Sequence, residues 1–192
     1  MKLTNALLSN CILTRNDLSN CELTDCHIHG ADIDHCNLRG SHLSGNKMEY
    51  SNFTCSDFTG SYVVNCDMTN CDFLNAQLDD CEFVNCDFRE ANLSGCDLHG
   101  SKFVNCNLSG CDLSNNDSLY DCIFENCDLN GCNLIESDLT GSEFLNCDLG
   151  SCCCIAAKMN GCNITGSNLY DAVFDEVDTT GIIGFDPAML EG

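Results

Sequence analysis

Glu82-Phe83-Val84-Asn85-Cys86-Asp87-Phe88 returns twenty residues later as Lys102-Phe103-Val104-Asn105-Cys106-Asn107-Leu108. Between the two copies lie Ala91-Asn92-Leu93-Ser94-Gly95 and Cys96-Asp97-Leu98-His99-Gly100, so the inner period is five. Stepping by five from Leu3 lands on an apolar residue twenty-three times in succession, through Leu8, Ile28, Met48, Phe53 and Leu98 to Leu113. One extra residue enters within Asn115-Asn116-Asp117-Ser118, and the series resumes at Leu119. It then passes through Phe124, Phe144 and Cys154 to Phe174, thirty-five pentads in all. A period of five fits neither a helix at 3.6 residues per turn nor a strand at 2.

The positions around each apolar centre are equally regular. Two residues before it stand small side chains, such as Ala6, Cys21, Cys36, Ser51, Cys66 and Ala76. Just before it, Asp or Asn is commonest, and two residues after it Gly and Asn dominate, the residues that tolerate a tight turn. A large centre beside a small partner lets four sides close round a filled axis, and stacking buries what one coil alone cannot.

The pattern resembles the pentapeptide-repeat family, whose unit is Ala-(Asp/Asn)-Leu-x-x; Asp57-Phe58-Thr59-Gly60 and the two units at 91–100 are representative. The resemblance covers residues 1–174. It implies an all-β fold: a right-handed quadrilateral β-helix of four pentads per coil and about nine coils, with centre and small residue inward. The four Phe at 83, 103, 124 and 144 are expected to stack on one face, beside ladders of Asn and Cys. The spacing of 21 across 115–118 reads as a one-residue surface bulge within one domain.

The chain has 192 residues, 30 Asp+Glu against 7 Lys+Arg, a formal charge of −23, and 20 Cys. So few cations argue against direct binding of nucleic acid or of an anionic membrane, and no apolar run of spanning length occurs. Seventeen of the cysteines fall at the small inward position, the exceptions being Cys55, Cys153 and Cys154. They read as compact core residues standing in for Ala; metal-ligand spacing of the C-x2-C kind is missing. The start of the chain lacks the apolar core of a signal peptide, which points to the cytoplasm and reduced thiols.

Residues 175–192 leave the repeat. Asp186-Pro187 looks like an N-cap followed by proline at the first helical position. Ile182, Ile183, Phe185, Met189 and Leu190 are expected to form a short helical cap over the open end, or a homodimer contact through the tail. The chain is expected to be non-enzymatic and to need no cofactor or metal, since phosphate-cradling, nucleophile-elbow and metalloprotease motifs do not occur. His27 and His29 flank an inward Ile28 near Glu49 and read as two solvated histidines.

Charge and shape supply the functional expectation. Residues 1–174 hold 25 acids and 7 bases, so at about 4.8 Å per coil the rod of roughly 40 Å carries one net charge per roughly 2.3 Å, against roughly 1.7 Å in duplex DNA. More distantly, the chain resembles the quinolone-resistance subgroup that protects DNA gyrase and topoisomerase IV, which implies DNA mimicry toward those enzymes. It departs from that subgroup in lacking loop insertions and in placing its break outside the N-terminal third. The candidate acidic surface is Asp57, Asp67, Asp72, Asp87, Asp97, Asp112, Asp128, Asp138 and Asp148. The same acids also suit a structural role, because a carboxylate before each centre can accept turn amides. The competing expectation is a scaffold that binds another protein through a less acidic face, where Tyr62, Val64, Val84, Val104, Ile123 and Leu145 point outward.

Overall fold

A computed structural model describes residues 1–190. Each coil takes twenty residues and turns four corners, one per pentad. The residue two after each centre adopts a left-handed backbone, as at Asn65 (φ 54°), Asn85 (53°), Asn105 (52°) and Gly95 (66°). Asn and Gly occupy most of these corners because they reach that region at least cost.

One side of the coil is regular enough to form strands: β1 (Lys2–Thr4), β2 (Glu22–Thr24), β3 (His42–Ser44), β4 (Tyr62–Val64), β5 (Glu82–Val84), β6 (Lys102–Val104), β7 (Ile123–Glu125) and β8 (Glu143–Leu145). They form one parallel sheet in sequence order. Its register steps by 20 residues, as in Phe83↔Phe103, and by 21 at Phe103↔Phe124. The other three sides pair through single bridges at the same spacing, for example Asp67↔Asp87, Asp72↔Asn92 and Asp57↔Gln77.

The parallel solenoid expected from the pentads is present, with two differences. Its sheet spans about seven turns of strand-to-strand pairing, short of the nine coils counted from sequence. Beyond Leu145 stacking continues only through bridges such as Glu143↔Asn163, Asp148↔Asn168 and Asn163↔Ile183. The helical cap is a single 3₁₀ turn, Pro187–Leu190. Its start is capped as the sequence suggests: Ala188 N–H donates to Asp186 Oδ1 at 3.0 Å.

The axis is filled. Phe83, Phe103, Phe124 and Phe144 are fully buried, and their rings stack at 4.8, 4.9 and 4.8 Å with planes within 19°. The insertion resolves to one residue. Asn116 is buried in the small position and donates Nδ2 to Leu93 O (3.1 Å) and Leu113 O (2.9 Å). Asp117 is pushed outward and exposed.

The cysteines behave differently from the alanine they were read as replacing. Cys96 Sγ donates to Phe73 O at 3.0 Å and Cys81 Sγ to Phe58 O at 3.0 Å. Ser61 Oγ uses the same geometry toward Leu38 O at 2.8 Å. The thiol therefore satisfies a core carbonyl as a hydroxyl would, while costing less to bury. Burial pushes the thiols of Cys71, Cys81, Cys96 and Cys122 up to about 12, so they stay protonated at neutral pH. Of the three exceptions, Cys154 is buried as a centre, Cys153 is half-buried and Cys55 is exposed at a corner.

Candidate interaction surfaces

The nine candidate acids lie on three sides of the rod, all half-buried. Asp67, Asp87, Asp128 and Asp148 share one column, Asp72 and Asp112 the next, and Asp57, Asp97 and Asp138 the third. Eight of them accept the backbone N–H two residues onward. The bonds are 3.0 Å from Thr59 to Asp57, 3.1 Å from Thr69 to Asp67 and 3.0 Å from Leu74 to Asp72. The same bond joins Arg89 to Asp87, Ser114 to Asp112, Asn130 to Asp128, Thr140 to Asp138 and Gly150 to Asp148. Each acid thus stabilises the next turn and still carries its charge outward.

Neighbours sort these carboxylates into two kinds. Asp57 meets Arg39 at 3.0 Å, Asp87 meets Arg89 at 2.6 Å and Asp138 meets Lys158 at 3.0 Å. Burial opposes ionisation at all three, but hydroxyl or backbone bonds and these cations hold each below the ordinary carboxylate range. Asp72, Asp112 and Asp148 instead accept amide N–H groups from Asn92, Asn133 and Asn168 at 3.0, 3.1 and 2.9 Å. The column of Asp72 and Asp112 thereby alternates Asp and Asn, which spares it the repulsion of stacked carboxylates.

Asp97 is the ninth acid and lacks the turn bond; its Oδ1 is buried without a hydrogen-bond partner among the described residues. Beside it, Asp79 is pushed up to about 6 by burial and by the Asp97 carboxylate.

The apolar residues expected to form one stripe fall in two columns. Val64, Val84 and Val104 stack in register. Glu125 follows Val104 in that column and separates it from Leu145. Tyr62 stands in the neighbouring column, 36% exposed and against His42 at 5.1 Å between rings. Ile123 shares that column but is divided from Tyr62 by Glu82 and Lys102. The structure therefore brings together only the three valines and Tyr62.

At the C-terminal end, Ile182, Phe185, Met189 and Leu190 pack against the core, and Phe185 stacks on Phe174 at 5.7 Å. Ile183 instead points outward, 59% exposed, because it occupies the residue-before-centre position and bridges Asn163. His29 lies 3.8 Å from Glu49, while His27 is exposed between Leu7 and Lys47. Among the described residues no three His, Cys, Asp or Glu side chains converge as metal ligands, and no helix is long and apolar enough to cross a membrane.

Sequence reasoning missed the Met1 end. A cavity of about 280 Å³ opens there, lined by Met1, Leu3, Leu8, Leu13, Leu18 and deeper apolar centres. On the same coil Leu7 and Ile12 point outward, 80% and 77% exposed, in the columns of His27 and Asp32. The signal was available, since both occupy the position that elsewhere belongs to Asp or Asn.

A four-sided parallel solenoid with a filled axis and a hydrogen-bonded acidic exterior defines the class as a solenoid repeat protein. The family model for pentapeptide repeats matches eight copies, over residues 2–45, 51–89, 76–115 and 118–153. The chain belongs to the pentapeptide-repeat family. No curated protein sequence matches it significantly. Among solved structures it is similar to HetL, a pentapeptide-repeat protein involved in heterocyst differentiation regulation from the cyanobacterium Nostoc sp. strain PCC 7120. That match has 18% identity and a TM-score of 0.62, covering 94% of this chain and 85% of HetL. It is also similar to full-length QnrB1, a plasmid-mediated fluoroquinolone resistance protein, with 20% identity and a TM-score of 0.54, covering 95% and 92%. At these identities the likeness speaks for the fold.

Proposed function

We propose that the protein is a non-enzymatic binding rod that mimics duplex DNA toward a type II topoisomerase, DNA gyrase or topoisomerase IV. The observation that carries this reading is a charge of −23 on a narrow rod, whose coils repeat every 4.8–4.9 Å at the stacked Phe rings. A protein saddle built for phosphates attracts such a surface by the same field. The fold shared with QnrB1 supports the reading, and so does the cytoplasmic setting expected of reduced thiols. Six of the acids lack a cation partner; five of them, Asp67, Asp72, Asp112, Asp128 and Asp148, hold a turn N–H and carry the mimicry, while the sixth, Asp97, has a buried oxygen, and Asp57, Asp87 and Asp138 are partly neutralised by their ion pairs.

The test is gyrase supercoiling with the purified protein titrated in, with and without a quinolone. Inhibition at low micromolar protein, or rescue from quinolone-induced cleavage, is the expected result. Changing the five acids that carry the mimicry to Asn should weaken it in step with lost charge, because Asn keeps the oxygen that accepts the turn N–H. No effect on either topoisomerase would reduce the acidity to a by-product of the repeat. The second reading, a scaffold for another protein, rests on the contiguous Val64-Val84-Val104 column beside Tyr62. Val84→Asp with Val104→Asp should abolish partner capture under that reading and leave topoisomerase effects intact.

A further inference from the structure

Cys66, Cys86, Cys106, Cys127 and Cys147 stand one above another in five successive coils, each three residues after an axial centre. All five are buried and free, and each thiol lies beside the next. Two features set this column apart from Cys71, Cys111, Cys132 and Cys152, which stack one pentad further on. Those four thiols each make a single short bond to a carbonyl, at 2.8–3.0 Å. In the first column the thiols reach carbonyls only at 3.3–3.6 Å, and Cys86 divides itself between Val63 O at 3.5 Å and Val84 O at 3.4 Å. The amides differ too. Those of Cys71, Cys111, Cys132 and Cys152 bond the carbonyl three residues back, whereas those of Cys66, Cys86, Cys106 and Cys127 have no oxygen acceptor among the described residues. Three of the latter face sulfur in the coil above: Cys66 toward Cys86, Cys106 toward Cys127 and Cys127 toward Cys147. Where oxygen is present in this column the same amide takes it, since Cys26 N–H donates to Asn46 Oδ1 and Cys147 N–H to Ser167 Oγ, both at 2.9 Å. A thiol is a weak acceptor and a thiolate a strong one, so buried donors aimed at sulfur favour a deprotonated ligand.

We propose that this column binds a soft monovalent cation, Cu(I), held linearly between the thiolates of successive coils. The Phe rings three residues before Cys86, Cys106, Cys127 and Cys147 repeat every 4.8–4.9 Å, and two metal–sulfur bonds of about 2.3 Å laid end to end span about 4.6 Å. Thiolate sulfur selects Cu(I) over harder cations. A two-coordinate ion needs no third ligand, in keeping with the lack of three converging ligands among the described residues. A disulfide fits worse, because its Cβ atoms stand about 3.8 Å apart while in-register side chains keep the coil spacing. Each cation replaces two thiol protons and leaves one negative charge, which the sulfur-facing amides stabilise; no electron is transferred. Five thiols in a row hold two such cations, each on its own pair. The cysteines are 2–3% exposed and each follows an exposed corner Asn, so a small ion enters past that side chain where a bulky thiol reagent does not.

The test is anaerobic addition of Cu(I), as its acetonitrile complex, to the 192-residue protein in an excess of a small monothiol, which strips the ion from single exposed thiols. Native mass spectrometry should show two cations bound with four protons lost, and X-ray absorption should show two sulfur neighbours per ion. Cys86→Ser should retain one cation. Cys86→Ser with Cys127→Ser should retain none, because no adjacent pair is left in the column. Serine already fills the small inward position at Ser61 and Ser101, and an unchanged circular dichroism spectrum without copper would show the fold intact. Cys132→Ser, which leaves no adjacent pair in the stack of Cys111, Cys132 and Cys152, should keep both cations. An unaltered protein that retains no cation overturns the proposal. So does any cation held by the double variant, or the loss of either from Cys132→Ser.

Discussion

Phe103→Ala tests whether the aromatic column holds the solenoid together. Phe103 is fully buried, with Phe83 at 4.8 Å and 19° on one side, Phe124 at 4.9 Å and 7° on the other, and Phe88 edge-on at 5.8 Å. Truncating a buried Phe costs about 3–5 kcal/mol, and each aromatic pair lost adds about 0.5–1.5 kcal/mol beyond the area it buries. Collapse into the hole is resisted, because β5, β6 and β7 hold the coils at fixed separation above and below it. The loss should therefore sit near the top of the range, about 5 kcal/mol. Phe103→Leu, which refills most of the volume without the ring contacts, should lose about 1–2 kcal/mol. Guanidinium unfolding followed by circular dichroism measures both, through a lowered midpoint at unchanged slope. A loss below about 1 kcal/mol for the alanine variant would mean that the ladder hydrogen bonds, and not the filled axis, carry the cooperativity.

The thiols give a chemical test: in the native protein a thiol reagent should modify Cys55, Cys153 and the half-buried Cys11 quickly, and the remainder only in denaturant. Cys96→Ser should cost less than about 1 kcal/mol, since a hydroxyl can repeat the bond to Phe73 O, whereas Cys96→Val should cost more by leaving that carbonyl unpaired. The Asp79 carboxyl, raised to about 6 from 3.8, binds its proton more tightly in the folded chain than in the unfolded one. Stability should therefore rise as pH falls from 7 through 6, levelling off near 4, and Asp79→Asn should remove that rise while stabilising the protein at pH 7. Thermal melts of both proteins across this window check the sign. At Gly184, where φ is +84°, an added Cβ would lie 3.1 Å from Thr165 Cα. Gly184→Ala should accordingly loosen the cap and expose Phe174 to dye binding while the central coils melt unchanged.

The sequence by itself determined the repeat, and with it nearly the whole fold. Five-residue spacing puts Leu, Phe and Met on the axis and Cys, Ala and Ser beside them, and those assignments depend only on size and period. The one-residue excess at 115–118 was legible for the same reason, since a shift of one in so regular a series has to bulge outward. The tertiary structure decided what depends on neighbours twenty residues away. Whether Asp138 or Asp72 acts as a bare charge turns on Lys158 above the first and Asn92 above the second. Whether the outward apolar residues make one stripe turns on Glu125 interrupting a column of valines. Cys96 became a hydrogen-bond donor because stacking set the Phe73 carbonyl of the coil below against its thiol. Leu7 and Ile12 marked the Met1 end in the sequence, but the cavity among Leu3, Leu8, Leu13 and Leu18 emerged only in three dimensions, because it lies between side chains five residues apart that the coil turns toward one axis. Period is written along the chain, whereas charge pairing, contiguity and cover arise between coils, at contacts that sequence order does not display.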